Sequence, residues 1–177
     1  MKLNTRDMVI CALFASLTAA LSQIAIPIPF TTVPLTMQVF AVALTGVVLG
    51  HKKAIISILI YMLMGIVGIP VFAHFNGGLH VIVGYTGGFI LAFPLMVTVI
   101  GYVSEKSKKY IYIFMSMIVA LIIAYLLGCI QYSFLAGVGF KEAFVLCVLP
   151  FIPVDLIKVV LATTVGINIK KKLKIKD

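Results

Sequence analysis

Only five carboxylate side chains occur in this chain, against 14 Lys and Arg residues, and charged residues of both signs make up just 11% of it. Carboxylates inside the apolar segments are too few for a typical transmembrane proton relay. The three cysteines, Cys11, Cys129 and Cys147, all lie in apolar runs and none is spaced as CxxC. They read as small packing residues, with neither a disulfide framework nor a metal site. No GxxxxGKS or GxxxxGKT run is present, so the chain has no P-loop. HExxH and GxSxG are absent too, which removes the familiar metalloprotease and serine-hydrolase centres. No internal repeat or low-complexity tract is evident, and nothing suggests the paired broken helices of inverted-repeat transporters.

What remains is apolar. Hydrophobic residues make up 63% of the 177 residues, and the mean hydropathy is +1.23. No soluble domain needs so much apolar surface, so the chain reads as an integral membrane protein of one domain, 1–177. It has room for about six spans of roughly 20 residues each plus short loops. No length is left for a soluble catalytic domain. The formal charge of +9 does not point to nucleic acid, because the basic residues cluster between apolar runs with no aromatics interleaved for base stacking.

The spacing predicts an all-α, six-helix transmembrane bundle, with helices near Met8–Ile26, Leu35–Leu49, Ala54–Ile69, Leu79–Val103, Tyr110–Ala136 and Glu142–Ile169. Lys2 and Arg6 before the first run resemble a signal peptide. That run is long enough to span, and no small-residue cleavage site precedes Pro27. One side collects Lys2, Arg6, Lys52, Lys53, Lys106, Lys108, Lys109, Lys170, Lys171, Lys172, Lys174 and Lys176, whereas the other has only Lys141. The positive-inside rule then places both termini in the cytoplasm, as an even number of spans requires.

Four stretches carry chemistry. In IAIPIPFTTVPLTMQVF, residues 24–40, Pro27, Pro29 and Pro34 stiffen a loop leading to Thr36 and Gln38. Gln38 offers a donor and an acceptor, to a polar ligand group or to a helix entrance. In GIPVFAHFNGGLHVIVGYTGGF, residues 68–89, the glycine pairs 77–78 and 87–88 permit close backbone approach. With Phe72, Phe75, Asn76, Tyr85 and Thr86, this stretch suits a lid over a cavity, or tight turns and small-residue helix packing. His74 and His80 lack ligand spacing and read as exposed loop histidines. On the first span, Ala12, Ser16 and Ala20 form one small-residue stripe and Ala15 and Ala19 a neighbouring one, where another helix can approach closely.

The fourth stretch is PFIPVDLIKVVLATTVGI, which places Asp155 and Lys158 inside an apolar span. A charge near the bilayer centre costs about 2.5–3.5 kcal/mol on insertion scales, so such residues face the interior and pair. Three apart on a helix, the two share a face. Pro153 near a helix start would put Asp155 in the first turn, where the helix dipole favours a carboxylate. Lys158, about 18 Å along the helix from Lys170, is too deep for easy snorkelling. A ligand site and a structural ion pair both fit.

The runs IPIPFTTVPLTMQ, GIPVFAHFNGG, GYTGGF and PVDLIK, in that order from about residue 10 to 168, resemble the BioY family. That family comprises the substrate-capture (S) components for biotin in energy-coupling factor (ECF) transporters. The resemblance implies a six-helix bundle in the cytoplasmic membrane of a prokaryote, binding biotin from outside under closing loops. It implies a transport subunit rather than an enzyme, with no cofactor. A membrane scaffold subunit and two ATPase subunits would supply the missing P-loops. Asp155 would accept a ureido N–H, and Lys158 would hold Asp155 charged and donate to the ligand's carbonyl or carboxylate. Gln38, Asn76 and Thr86 would add polar contacts, Phe72 and Tyr85 would cover the apolar ring, and Ala12, Ala15, Ser16 and Ala19 would face the scaffold. Where the family usually reads GPTGGY, this chain reads GYTGGF. The alternatives are a capture subunit for thiamine or riboflavin, a stand-alone facilitator or secondary carrier, a structural membrane subunit, and an intramembrane lipid enzyme using Asp155 or His80.

Overall fold

The computed structural model describes residues 4–173. Lys2, Lys174 and Lys176 of the expected basic side lie outside the described residues. The elements run α1 (Thr5–Ser22), β1 (Ala25–Ile26), β2 (Leu35–Thr36), α2 (Gln38–Ile66), a 3-10 turn (Ala73–Phe75), α3 (Leu79–Val83), α4 (Gly87–Lys106), α5 (Tyr110–Ala136), α6 (Phe140–Cys147) and α7 (Ile152–Leu173). Five of them, α1, α2, α4, α5 and α7, are long and apolar enough to cross a membrane. The fold is helical, as the composition dictates. The one sheet among the described residues is the β1–β2 ribbon, pairing Ala25 with Thr36 and Ile26 with Leu35. It closes the proline-rich loop expected to be stiff.

α2 is not straight. At Gly50 the backbone leaves helical geometry, with φ 72° and ψ 171°. Gln38 Nε2 nonetheless donates to the Tyr61 hydroxyl at 2.7 Å. A straight helix would hold those two residues about 35 Å apart at 1.5 Å per residue. The element therefore doubles back at Gly50, between the second and third expected spans. Only glycine adopts this backbone cheaply. Glu105 of α4 secures the bend: Oε1 accepts the His51 backbone N–H at 2.9 Å, and Oε2 lies 2.6 Å from His51 Nδ1.

Two expected helices are broken instead of continuous. The run Leu79–Val103 divides into α3 and α4 around Gly84–Thr86. A side chain at Gly87 would strike the Ile82 carbonyl. Gln131 of α5 satisfies the carbonyls freed by the break, donating to Ile82 at 2.9 Å and Gly84 at 2.7 Å. Such compensation lets irregular backbone persist among membrane helices. The run Glu142–Ile169 divides into α6 and α7 around residues 148–151. Pro150 and Pro153, which have no N–H, cannot continue a helical ladder there. Pro153 instead occupies the first turn of α7, followed by Asp155, as the dipole argument predicts.

α2 packs against α1, α4 and α7, and α4 against α5, around a core that includes Val47, Ile58, Tyr61, Met96, Ile100 and Met117. On α1 the inward stripe is Cys11, Phe14, Ala15, Thr18 and Ser22, at spacings of 3.6-residue helical geometry. This corrects the expected docking face. Ala12 and Ser16 are exposed and Ala19 is half-buried, but Ala15 is 1% exposed and packs into the protein's own core.

Charges gather at one end. Asp7 pairs with Lys53 at 2.9 Å, His51 with Glu105, Lys106 donates to the Tyr102 hydroxyl, and Lys170 Nζ donates to the Ser104 carbonyl at 3.0 Å. The start of α1, the Gly50 bend, the end of α4 and the end of α7 therefore share this end.

Candidate ligand-binding site

The other end contains a cavity of about 280 Å³, near the lower bound of roughly 300–1,000 Å³ for small-molecule sites. Four parts of the chain frame it: the β1–β2 ribbon with the first turn of α2, the loop from Val71 to Asn76, the α3–α4 break, and the start of α7 with α5 beside it. Every residue expected to contact a ligand lines it: Gln38, Phe72, Asn76, Tyr85, Thr86, Asp155 and Lys158.

Asp155 and Lys158 form its buried polar end, each 3% exposed. Lys158 Nζ donates to Asp155 Oδ1 at 2.7 Å and to the Thr36 carbonyl at 2.7 Å. The Tyr125 hydroxyl donates to Asp155 Oδ2 at 2.8 Å. Burying two ions costs several kcal/mol each, and the cost is met only when geometry is good and the remaining polar sites are hydrogen-bonded. Here both conditions hold. The pair also retains capacity: a carboxylate has about four lone-pair sites and an ammonium three protons. Two sites on Asp155 and one proton on Lys158 remain to meet a ligand.

Gln38 is tied on both sides. Its Oε1 accepts from Thr36 Oγ1 at 3.0 Å, and its Nε2 donates to Tyr61 at 2.7 Å. It serves the helix entrance and lines the cavity at once, leaving one N–H of its amide to spare. Phe72 is 1% exposed and meets Tyr61 edge-on, with centroids 5.6 Å apart. Its ring fills the space a side chain at Gly65 would need. Tyr85, 40% exposed, packs against Tyr132 at 5.5 Å. Asn76 is exposed, and its Nδ2 donates to the Ala73 carbonyl at 3.1 Å.

The covering loop is held by the end of α1. Ser22 Oγ donates to the Val71 carbonyl at 2.5 Å, Gln23 Nε2 to the Phe72 carbonyl at 3.1 Å, and the Phe75 N–H to Gln23 Oε1 at 2.8 Å. His74 and Phe75 both have positive φ, 58° and 57°, a strained pairing for non-glycine residues that clusters at functional sites.

Sequence reasoning missed Tyr125, the Thr36 carbonyl, Gln131 and the Ser22–Gln23 tether. Gln131 carried a signal, as a lone amide in a highly apolar helix. Tyr125 carried only its hydroxyl, and a backbone carbonyl carries none. His74 and His80 are exposed as expected, but they also line the cavity mouth, and His80 belongs to α3 instead of a loop.

Comparison with known proteins agrees with this architecture. The model of the BioY family matches residues 1–175. A Pyrococcus horikoshii protein described as "Probable biotin transporter BioY" is 42% identical over 165 residues, covering 93% of this chain and 96% of that protein. The "Biotin transporter BioY" of Thermotoga maritima is 39% identical, covering 82% and 86%. The "Biotin transporter BioY2" of Lactococcus lactis subsp. cremoris is 37% identical, covering 96% and 94%. A crystal structure at 2.1 Å of the S-component for biotin from an ECF-type ABC transporter has the same fold, with a TM-score of 0.89 at 24% identity, covering 96% of this chain and 95% of the other. Matched along nearly its whole length, this multi-pass membrane protein belongs to the BioY family.

Proposed function

We propose that the chain captures biotin in this cavity and serves its uptake as the S component of an ECF transporter. One observation carries the reading: residues of four distant sequence stretches meet in one apolar cavity whose buried end is a satisfied Asp155–Lys158–Tyr125 network. Biotin matches it group by group. Its neutral ureido ring presents two N–H donors and a carbonyl, for which Asp155 has free lone pairs and Lys158 a free proton. Its thioether ring and aliphatic chain suit walls formed by Phe72, Tyr85, Phe89 and Phe93. Gln38, Asn76 and Thr86 lie where they can complete the polar contacts.

In this reading the two arms of α2 cross the membrane separately, which gives six spans and puts both termini with the basic end in the cytoplasm. The cavity then faces outward. A scaffold subunit contacts the exposed Ala12–Ser16 face of α1, and two ATPase subunits supply energy. The test is titration of purified protein with biotin, with thiamine and riboflavin as controls. Biotin alone should bind, and Asp155→Asn should weaken it by about tenfold or more, the size of a lost charge-assisted hydrogen bond. Folded protein that ignores biotin and takes another vitamin would overturn the assignment.

A further inference from the structure

We infer that His74 and His80, the two imidazoles at the cavity mouth, receive the ligand's carboxylate and so make this site selective for the free acid. The inference rests on the biotin reading, which places the ureido ring at Asp155 and leaves the acid tail unassigned. That tail cannot share the buried end, because a second carboxylate beside Asp155 would face like-charge repulsion where solvent screens little. Among the described residues Lys158 is the only Lys or Arg that lines the cavity; it already serves Asp155 and the Thr36 carbonyl, and in that reading its one remaining proton meets the ureido carbonyl. The tail must therefore point to the mouth. A carboxylate there that lost water without gaining donors would weaken binding.

Besides the neutral amide and hydroxyl groups of Asn76, Tyr85 and Thr86, the cavity lining holds two imidazoles, the only side chains there among the described residues, apart from Lys158, that can carry positive charge. Asn76 turns its Nδ2 to the Ala73 carbonyl. His74 and His80 are exposed and line the cavity, and neither ring has a hydrogen bond or ion pair among the described residues. Each has a distinct backbone setting. The His80 ring lies over Gly78, its Nδ1 2.9 Å from where a side chain would begin, and Gly78 has φ +109°. His74 sits in the left-handed region with φ 58° and ψ 35°, flanked by the Phe75 N–H bond to Gln23 Oε1 and the Phe72 N–H bond to the Asn76 carbonyl. An imidazole ring always carries at least one N–H donor, and two when charged.

The test compares biotin with biotinamide, its uncharged counterpart with the same ring and chain, on full-length protein. Wild type should prefer biotin by about tenfold or more. The double variant His74→Ala/His80→Ala should lose that preference by weakening biotin alone, and His→Gln replacements, which keep an N–H donor, should restore part of it. Preference retained in the double variant, or an equal loss for both ligands, would overturn the inference. Wild type that binds neither ligand would defeat the biotin reading itself and this inference with it.

Discussion

Neutralising the buried pair one charge at a time, then both together, separates structure from recognition. In Asp155→Asn the ammonium of Lys158, 3% exposed, keeps two neutral acceptors and loses its counter-ion. In Lys158→Met the carboxylate keeps only the Tyr125 donor, and the Thr36 carbonyl loses its partner. Breaking a buried pair from either side costs about 3–5 kcal/mol, because an uncompensated charge is left behind. The double variant Asp155→Asn/Lys158→Met holds no buried charge and nearly the same volume. Its stability should return to within about 1–2 kcal/mol of wild type, since replacing a buried pair outright is often close to neutral. Biotin binding should not return with it. Loss of one charge-assisted hydrogen bond, about 1.5–3 kcal/mol, is roughly a 10- to 150-fold weakening. Thermal unfolding in detergent measures the first quantity and biotin titration the second. A stable double variant that binds biotin like wild type would refute the role of the pair in recognition. Single variants as stable as wild type would refute the burial argument.

Tyr125→Phe leaves Asp155 Oδ2 without its 2.8 Å donor, so biotin titration should show about tenfold weaker binding with the fold retained. Ala15→Leu should destabilise by about 1–3 kcal/mol through overpacking, read as a lowered melting temperature. Ala12→Leu and Ser16→Leu, at exposed positions, should leave melting and biotin binding unchanged and, if α1 docks as proposed, reduce co-purification with the proposed scaffold subunit. Gly88→Ala puts a methyl group against the Leu127 carbonyl; a melt should show a loss of about 1–3 kcal/mol, and an unchanged melt would mean that α4 and α5 yield at this contact.

Much of this was legible in the sequence because membrane helices announce themselves by composition and length. The bend at Gly50 fell between two expected spans because Lys52 and Lys53 interrupt the apolar run there. The breaks at Gly84–Thr86 and 148–151 were hidden because local hydropathy runs straight through them; what permits them is long-range, Gln131 reaching from α5 to the loose carbonyls. The Asp155–Lys158 pair was readable, since an intramembrane charge has few explanations. Tyr125 was not, because an aromatic residue in an apolar helix looks like any other lipid-facing or core residue until its hydroxyl is seen against Oδ2. Ala15 and Ala12 looked equivalent as small residues, and only packing tells that one points inward.

Because Ser22 and Gln23 grip the covering loop through three hydrogen bonds, α1 and the roof of the cavity are mechanically one piece. α1 is 18 residues long, about 27 Å at 1.5 Å per residue. It is a lever with the small-residue face along its shaft and Phe72 hung from its tip. A pivot of about 5° about its far end would displace that tip by about 2 Å. In the proposed reading, a partner that tilted α1 through its small-residue face would pull on the covering loop through these three hydrogen bonds.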